Sequence, residues 1–399
     1  MKFFRVGGFV RDTLLGLTPN DTDYVVVDSS PAEMLSLGYS QVGVSFPVFL
    51  NPESGDEYAL ARSERSTGPR TGDFTASTDN VSLLDDLARR DLTINSMAIG
   101  SNDTIVDPFN GQSDLSAHVL RHTSDAFSED PLRVLRLARF RATLPGAWTI
   151  AHETKVLCCS MWHDLASLTP ERIWKELSKV LAANALPTFF ETLYELGILE
   201  DIFPEIHNMI LCREGSKHHR EANVFVHTMM MLRTGSFSPR VQLAILLHDI
   251  GKPHCYTSYG SSAGHEDYEL VNSLMPYWVP GKLRTKLLFL VANHTKIYKT
   301  SIMKESKVAS LLESYKRDLS LLEDQLILAQ ADDEGRLCDP GIKKIIEFSS
   351  IIYAFKAIGE YSPIKWIYYC GDNKPSGLAI ANHVHHKNIQ IVREHFIKD

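Results

Sequence analysis

The amino-acid sequence predicts an α+β head at the N-terminal end, followed by a long helical remainder. Residues 1 to about 120 contain short β-branched or aromatic segments bordered by Gly, Pro, Asn or Ser, a pattern typical of strands. From about residue 130 onward, apolar residues recur at helical spacing among good helix formers. A chain of 399 residues that is 44% hydrophobic can bury more than one core, since single cores stop growing at about 250 to 300 residues.

The head is expected to alternate strands with short helices. Glycines end both expected helices, which is a common helix stop signal. The expected strands are YVVV (24–27), FPVFL (46–50), EYALA (57–61) and TIVDPF (104–109), and the expected helices are GFVRDTLLG (8–16) and SPAEMLSLG (30–38).

The remainder of the chain is expected to be largely helical. The segments DPLRVLRLARFRA, TPERIWKELSKVLAA and LPTFFETLYELGIL each open with Asp, Thr or Pro and keep helical spacing. The polar stretch 213–223 predicts a domain boundary. The segment 252–267 is rich in Gly and Ser and predicts a loop that covers a site.

Composition restricts the function and the compartment. A net charge of −8 excludes an evenly basic nucleic-acid binder, but it leaves room for a local basic groove. The six cysteines form no CxxC pair, which favours reduced thiols and the cytoplasm. The N-terminal residues lack a signal-peptide core, and the longest apolar runs are far shorter than the ~20 residues that span a bilayer. We therefore expect a cytoplasmic protein with no membrane contact.

The stretch NDTDYVVV carries two carboxylates, Asp21 and Asp23, just before an apolar run. Side chains two apart on a strand point to one face, so these carboxylates could share divalent cations, and Mg²⁺ prefers such hard oxygen ligands. Gly7 and Gly8 precede a helix with Arg11 in its first turn, which would let backbone N–H groups and a cation approach a phosphate. Taken alone, an Asp-x-Asp at the start of a strand is more often turn or cap chemistry, and a lone Gly-Gly indicates only a tight turn.

The segment EDPLRVLRLARF combines one aspartate with a row of arginines. Helical spacing would place Asp130 beside Arg133 and continue the row with Arg136 and Arg139. A carboxylate acceptor beside a guanidinium donor matches cytosine and adenine, which both present an amino donor next to a ring acceptor. Guanine and uracil present a ring N–H instead, so two donors would face each other at a cost of about 1–3 kcal/mol. An amphipathic helix with a solvated basic stripe fits the same spacing.

The order of these motifs resembles a known family. VGGFVRDTLLG and NDTDYVVV are followed by LARRDLTINSMA (87–98), DPFNGQSDL (107–115), EDPLRVLRLARF (129–140) and LTPERIWKE (168–176). The series resembles the class II tRNA nucleotidyltransferases, the CCA-adding enzymes, and the wider family that they share with bacterial poly(A) polymerases. The resemblance applies best to bacterial CCA-adding enzymes with a C-terminal HD domain, and it then covers nearly the whole chain.

This resemblance implies a polymerase-β-like nucleotidyltransferase head. Asp21 and Asp23 would be the catalytic carboxylates and would hold Mg²⁺ for two-metal nucleotidyl transfer. Arg89 and Arg90 would point apart, so that one reaches the triphosphate while the other pairs locally, Asp91 being a candidate partner. The implied nucleotide-binding residues are Gly8, Arg11, Arg90, Asp130, Arg133, Arg136 and Arg139.

For three further features, the sequence does not decide between a role at the nucleotide site and a purely structural role. In the family, Asn95 helps to hold the ribose, and the ERIWKE motif supports the nucleotide-selecting helix. A purely structural ion pair within that motif is equally consistent with the sequence. Glu57 is a candidate third carboxylate, and the alternative is an exposed glutamate at a strand edge.

A second constellation lies further along the chain. FVHTMMML supplies His227, AILLHDIGK supplies His248 and Asp249, and AQADDEGR supplies Asp332 and Asp333. Imidazole and carboxylate together suit divalent transition metals, although a lone histidine on an apolar helix is usually a core residue. The series resembles the HD phosphohydrolase superfamily. That resemblance implies a metal site formed by His227, His248, Asp249 and Asp332, with Asp332 favoured over Asp333.

The HD resemblance also implies an activity. Related enzymes hydrolyse 2′,3′-cyclic phosphates, 2′-nucleotides and other phosphomonoesters at this site. Nickel, cobalt, manganese and magnesium are all open as the metal, Ni²⁺ being one candidate transition metal. His265 and His294 could each be an auxiliary group that contacts a phosphate or a plain surface histidine, and the sequence does not decide between the two.

The resemblance implies a division into a nucleotidyltransferase head (1–140), a helical neck and body for nucleotide and tRNA binding (141–215), an HD phosphohydrolase domain (216–375) and a tail (376–399). The implied partners are the 3′ end and acceptor arm of tRNA together with CTP and ATP, and the protein would be a monomer or a homodimer. Two alternatives remain. One is a poly(A) polymerase of the same family, and the other is a phosphohydrolase whose front half is only an RNA-binding module.

Overall fold

The chain folds into two compact units, Met1–Pro204 and Glu205–Asp399, here called unit 1 and unit 2. Unit 1 is mixed α and β, whereas the described part of unit 2 is helical apart from one isolated bridge between Arg213 and Asn223. The computed structural model describes residues 1–19, 21–42, 48–66, 74–77, 81–213, 220–337, 348–370 and 375–395.

The strands of unit 1 lie mostly in its N-terminal part. They are β1 (Lys2–Val6), β2 (Asp23–Val27), β3 (Ser40–Val42), β4 (Val48–Leu50), β5 (Glu57–Leu60), β6 (Ser63–Ser66), β7 (Phe74–Ser77), β8 (Ala98–Ile99), β9 (Ile105–Val106), β10 (Val119–Leu120) and β11 (Thr149–Ile150). The main sheet has the order β3-β4-β5-β2-β1-β8-β9. Strand β2 runs antiparallel to β1 and parallel to β5.

Strand β2 is the centre of this sheet because its apolar run is buried on both faces, which is typical of an interior strand. Val25 and Val27 pack on one face in a cluster with Leu87. Val26 packs on the opposite face with Met34 and with the side chains of β4 and β5. The first residue of the strand, Asp23, is therefore held in fixed register.

The predicted strands agree with the structure in part. YVVV forms β2 with one additional residue, and EYALA forms β5 without its last residue, Ala61. FPVFL contributes β4, while Phe46 and Pro47 lie outside the described residues, and TIVDPF is a strand only at Ile105–Val106. Strand β1 was not predicted. This segment is a strand because it pairs with β2, from Lys2↔Val27 to Val6↔Asp23, and the local sequence gives no signal of that pairing.

The helices of unit 1 follow the predicted pattern. The expected helices at 8–16 and 30–38 are confirmed, with Gly16 and Gly38 in the left-handed region after each helix. The helices are α1 (Gly8–Leu14), α2 (Pro31–Ser36), α3 (Leu83–Ala88), α4 (Gly111–Ser116), α5 (Leu132–Thr143), α6 (His152–Ser160), α7 (Trp162–Leu165), α8 (Pro170–Ala182), α9 (Leu186–Glu195) and α10 (Leu199–Ile202).

Helix α5 packs against α8 and α9, so the end of the head and the helices after it belong to one unit. The predicted division at residue 140 falls inside α5. The unit boundary at Pro204 lies before the predicted boundary at residue 215, and residues 214–219 are outside the described part of the chain.

Unit 2 is built from packed helices. They are α11 (Pro204–Leu211, starting at the last residue of unit 1), α12 (Val224–Arg233), α13 (Pro239–Leu247), α14 (Lys252–Tyr259), α15 (Tyr268–Leu274), α16 (Gly281–Ile297), α17 (Glu305–Ser314), α18 (Leu319–Glu334), α19 (Ser349–Glu360), α20 (Ile364–Tyr369) and α21 (Gly377–His395). Residues 377–395 of the predicted tail thus form α21, which packs on α17 and α19.

The predicted loop 252–267 was wrong for its first half. Lys252–Tyr259 is helix α14, with Pro253 in the first turn, where proline is tolerated, and Gly260 as a left-handed cap. Among the helices of the described residues, none combines the length and the apolar character required to cross a bilayer.

Candidate functional sites

Unit 1 contains a cavity of about 460 Å³ beside the first residue of β2. It is lined mainly by arginines and carboxylates, which makes it suited to a highly charged anion. Its lining residues include the predicted Gly8, Arg11, Asp23, Arg90, Asp130, Arg133, Arg136 and Arg139, together with Gly7, Arg62, Arg89, Asp91, Asn95, Leu132 and Phe140.

Asp23 begins β2 in register with Val6 on one side and Glu57 on the other. Loss of solvation raises the pKa of Asp23, Arg90 opposes this shift, and Asp21 adds to it. Asp21 is exposed and precedes the strand, which begins at Asp23, so strand geometry does not place the two aspartates on one face as the sequence analysis expected. Asp21 raises the pKa of Asp23, which shows that the two negative charges repel each other. A divalent cation such as Mg²⁺, which prefers carboxylate oxygens, would relieve this repulsion.

The turn before α1 requires glycine for two reasons. Gly7 has φ +68°, in the left-handed region that disfavours side chains. A Cβ atom at this position would also lie 3.0 Å from Nη1 of Arg90. Glycine at position 7 therefore allows the Arg90 guanidinium to lie close against the start of α1.

Arg89 and Arg90 share a buried partner that the sequence analysis missed. Asp86, on α3, is fully buried and accepts hydrogen bonds from Arg89 Nη2 at 2.6 Å and from Arg90 Nη2 at 3.0 Å. Burial alone would raise the pKa of Asp86, but Arg90 and Arg89 hold it below its usual value. Arg89 and Arg90 follow Asp86 by three and four residues at the C-terminal end of α3, and this spacing was the signal available in the sequence.

Asp91 connects the cavity to α5 instead of pairing within RRD. Its carboxylate accepts hydrogen bonds from Arg136 Nε at 2.7 Å and from Asn95 Nδ2 at 2.9 Å. Asn95 Oδ1 in turn accepts one from Arg11 Nη1 at 2.7 Å. Despite burial, Arg136 holds the pKa of Asp91 well below its usual range. Arg11 and Arg136 are thus fixed by one continuous network.

Glu176, within the ERIWKE motif on α8, is 1% exposed and holds the next arginine of the row. Its carboxylate accepts a hydrogen bond from Arg139 Nε and lies 4.0 Å from Arg136 Nη1. Arg139 keeps the pKa of Glu176 low against the effect of burial. The Arg139 guanidinium also lies 4.0 Å from the centre of the Phe140 ring, a cation–π contact.

Asp130 does not belong to helix α5, so its predicted position on one helical face with Arg133 was wrong. The residue is extended (φ −130°, ψ 106°) because Pro131 follows it, and proline disfavours the helical conformation in the residue before it. Both Asp130 oxygens accept from Arg172 Nη2, at 3.0 and 2.8 Å, and Oδ1 also accepts from the Leu132 amide. Asp130 and Arg133 still line the same cavity.

Unit 2 brings together the four predicted HD residues. Nε2 of His227, on α12, lies 3.1 Å from Oδ1 of Asp332, on α18. His248 directly follows α13, and its Nε2 lies 3.0 Å from Asp249 Oδ2. All four side chains are buried. Donor atoms of His227, His248 and Asp332 lie within 4.8 Å of one another, so they could hold one ion.

The chemistry of this cluster fits a divalent cation. His248 Nδ1 lies 2.8 Å from the carbonyl of Ile245, so its buried Nε2, 3.0 Å from Asp249 Oδ2, is the ring nitrogen that faces the cluster. Burial would lower the pKa of His227, but hydrogen bonds to Asp332 and Glu221 raise it to about 9. These carboxylates favour positive charge at the cluster, which a metal ion would supply.

His265 and His294, left open by the sequence, are not surface residues. They are 8% and 4% exposed, respectively. Their Nε2 atoms lie 3.1 and 3.7 Å from Asp249 Oδ1, whereas His248 Nε2 lies 3.0 Å from Oδ2. The structure therefore adds both histidines to the HD cluster.

Comparison with known proteins agrees with the architecture of unit 1. Residues 3–121 match the family described as the poly A polymerase head domain. Residues 148–210 match the family described as a probable RNA and SrmB-binding site of polymerase A. The head, its sheet and its arginine-lined cavity thus define the polymerase-type nucleotidyltransferase class.

A curated relative extends the match over most of the chain. The multifunctional CCA protein of Shewanella denitrificans is 41% identical over 349 residues, which is 84% of each protein. The chain therefore belongs to the multifunctional CCA protein family.

Solved structures share the fold. The CCA-adding enzyme of Bacillus stearothermophilus in complex with CTP has a TM-score of 0.62 at 20% identity, covering 98% of this chain and 89% of that one. The Thermotoga maritima CCA-adding enzyme complexed with tRNA-CCA has a TM-score of 0.58 at 17% identity, covering 99% and 90%.

Replacing Glu176 with alanine should destabilise unit 1 by about 3–5 kcal/mol, because it leaves the buried Arg139 guanidinium without its carboxylate. The exposed Glu171 on the same helix is a matched control, and Glu171→Ala should change the stability by less than about 0.5 kcal/mol. Hydrogen exchange of the α5 and α8 amides measures the free energy of opening. Equal, small effects of both substitutions would contradict the assigned role of Glu176.

Proposed function

We propose that this protein adds C, C and A to the 3′ end of tRNA from CTP and ATP, without a nucleic-acid template, and releases pyrophosphate. The observation that carries the proposal is the single cavity in which Asp23, the arginine row and Asp130 meet. Membership of the multifunctional CCA protein family supports it, as do the CTP and the tRNA named for two proteins of the same fold.

The arginine side of the cavity is suited to a triphosphate. Guanidinium groups bind phosphate oxygens through paired N–H donors, and the buried carboxylates fix their direction before the nucleotide arrives. Arg90 lies close against the start of α1, near Asp23, so it is placed to contact phosphate on the side of the catalytic carboxylates. Arg136 and Arg139 lie further along the row, on α5.

The Asp130 end of the cavity is suited to reading the base. Asp130 Oδ1 accepts from both Arg172 and the Leu132 amide, whereas Oδ2 accepts from Arg172 and retains acceptor capacity. The amino group of cytosine or adenine would donate to this oxygen, and Arg133 would donate to the neighbouring ring nitrogen. Guanine and uracil present a ring N–H to Arg133, so the same pair rejects them.

Mg²⁺ held by Asp21 and Asp23 would activate the RNA 3′-hydroxyl and offset charge on the α-phosphate and pyrophosphate. Asp23 is positioned for this role by β2, whose register with β1 and β5 fixes its Cα between Val6 and Glu57. Since the chain has a net charge of −8, tRNA must be bound through a local basic surface.

A tRNA that ends before CCA tests the proposal. With CTP alone the protein should add only cytidines and stop at two, and with CTP and ATP it should complete CCA, whereas UTP or GTP should not be incorporated. Asp21→Ala with Asp23→Ala should slow incorporation by more than about 1,000-fold, since metal ligation contributes several kcal/mol to the transition state.

The matched control is Asp28→Asn, an exposed aspartate directly after the other end of β2, which should keep incorporation. Long adenylate tracts without cytidine would instead indicate a poly(A) polymerase. Retained incorporation in the double variant would refute the metal-binding role of Asp21 and Asp23.

We further propose that unit 2 is a metal-dependent HD phosphohydrolase for 2′,3′-cyclic phosphates, 2′-nucleotides and other phosphomonoesters. The buried cluster of His227, His248, Asp249 and Asp332 carries this proposal, together with the donor atoms of His227, His248 and Asp332 that lie within 4.8 Å of one another. A divalent transition metal there would supply an activated water and a Lewis acid for the phosphate. Such an activity would let one protein trim a damaged RNA 3′ end and rebuild it.

The combined substitution His248→Ala and Asp249→Ala should lower hydrolysis of 2′,3′-cyclic AMP and of p-nitrophenyl phosphate by at least about 100-fold, because it removes metal ligands. Nucleotide incorporation by unit 1 is the internal reference, and the exposed His254→Ala is the matched histidine control. Hydrolysis that survives the double substitution would show that another site performs it.

A further inference from the structure

The end of helix α16 and the residues that follow it carry a concentration of positive charge. The chain has a net charge of −8, yet residues 296–307 contain four lysines and a single carboxylate, Glu305. All four lysines are exposed, and within the described residues none of them forms an ion pair with a carboxylate. We call this group the lysine rim, and its members are Lys296, Lys299, Lys304 and Lys307.

Backbone hydrogen bonds hold the lysine rim together. The Lys299 amide donates to the Lys296 carbonyl at 3.1 Å, and the Met303 amide donates to the Lys299 carbonyl at 2.9 Å. Directly after Met303, the Lys304 carbonyl accepts from the Lys307 amide at 2.9 Å. Each lysine is therefore about one turn of chain from the next. Four cations held this close repel one another, so an anionic ligand would stabilise the group.

The lysine rim begins beside the HD cluster. Tyr298, between the first two lysines of the rim, donates a hydrogen bond from its hydroxyl to Asp332 Oδ2 at 2.8 Å. His294, one turn earlier, has its Nε2 3.7 Å from Asp249 Oδ1. The single turn 294–298 thus carries two side chains that contact the cluster and one exposed lysine, Lys296. A ligand bound by the rim would lie close to the groups that are proposed to hydrolyse phosphates.

We propose that the lysine rim binds the phosphate backbone of an RNA strand whose 3′-terminal phosphate is hydrolysed at the HD cluster. The inference rests on the proposed phosphohydrolase function and specifies its substrate as the end of an RNA chain. An RNA strand carries one phosphate per nucleotide, and the lysine ammonium group is a compact point charge that contacts such phosphates. Contacts of this kind give affinity without sequence preference.

The lysine rim distinguishes a polynucleotide from a free nucleotide. A 2′-nucleotide or a 2′,3′-cyclic nucleotide has a single phosphate group, and hydrolysis requires that group at the HD cluster. None is then left for exposed lysines outside the cluster. In a polynucleotide, the phosphates that precede the terminal one remain available to the rim. A 2′,3′-cyclic phosphate requires a 2′-hydroxyl, which is present in RNA and absent from DNA, so the strand that presents this end is RNA.

Hydrolysis of two substrates with the same reacting group tests the proposal. One is a short RNA that ends in a 2′,3′-cyclic phosphate, and the other is 2′,3′-cyclic AMP. The rim variant is the full-length protein with Lys296→Gln, Lys299→Gln, Lys304→Gln and Lys307→Gln. For the RNA, its KM should rise by at least about 10-fold while kcat is retained, because only binding of the backbone is lost. For 2′,3′-cyclic AMP, both constants should stay within about twofold, since this substrate does not reach the rim.

The matched control replaces four other exposed lysines of unit 2 and has the same net charge as the rim variant. Its substitutions are Lys282→Gln, Lys316→Gln, Lys356→Gln and Lys365→Gln. The control should keep the KM for the RNA within about twofold. The slope of log(kcat/KM) for the RNA against log salt concentration is a second readout. It should become less negative by about 2 to 3 in the rim variant alone, since each phosphate contact to a single strand contributes about 0.7.

Equal losses in the rim variant and the control would overturn the proposal, because they would reflect net charge alone. Unchanged hydrolysis of the RNA by the rim variant would overturn it too. So would a loss of 2′,3′-cyclic AMP hydrolysis that matches the loss for the RNA, since the lysines would then act on the cluster. If the rim variant lacks a cooperative thermal transition, Lys299→Gln with Lys304→Gln replaces it, with about half the change in slope expected.

Failure of the hydrolase itself has a different result. The unaltered protein would then hydrolyse neither substrate, and fluorescence anisotropy with the same RNA, labelled at its 5′ end, would test the rim alone. A Kd that is at least about 10-fold higher in the rim variant than in the control would support the RNA-binding surface. Equal Kd values in the two variants would overturn it.

Discussion

The repulsion among arginines that line one cavity is the constraint on which unit 1 depends. Arginines on α1, on α5 and directly after α3 surround a space of about 460 Å³, and their mutual repulsion would force them apart if no carboxylates were present. Three buried carboxylates, Asp86, Asp91 and Glu176, each hold one or two of these guanidinium groups. The ion pairs position the arginines, and their other N–H donors can then face a triphosphate.

In unit 2 oriented side chains also surround a charged group, but here histidines surround a carboxylate. Asp249 lies among His248, His265 and His294, and backbone carbonyls turn each ring so that Nε2 faces the carboxylate. In unit 1 buried anions organise cations for an anionic ligand. In unit 2 oriented lone pairs and a carboxylate organise a site for cations. In each unit the charged groups are thus already arranged for a ligand of opposite charge, an anion in unit 1 and a cation in unit 2.

Local patterns predicted those parts of the fold that local forces decide. The glycine-terminated helices α1 and α2 and the apolar strand β2 followed from spacing and end signals. Strand β1 did not, because its role depends on pairing with a distant strand. Helical spacing misplaced Asp130, since the restraint that Pro131 imposes outweighs the periodicity. The motif residues identified the cavity, whereas the pairs of Asp91 with Arg136 and of Glu176 with Arg139 form only when segments that are distant in sequence meet.

A crystal structure of this protein with CTP tests most directly whether the preformed arginine cavity is the nucleotide site. The account predicts triphosphate oxygens within hydrogen-bond distance of the cavity arginines, and the cytosine amino group on Asp130 beside Arg133. The pairs of Asp86, Asp91 and Glu176 with their arginines should remain in place. A triphosphate bound outside the cavity, or a cytosine turned away from Asp130 while the arginine pairs break, would contradict it.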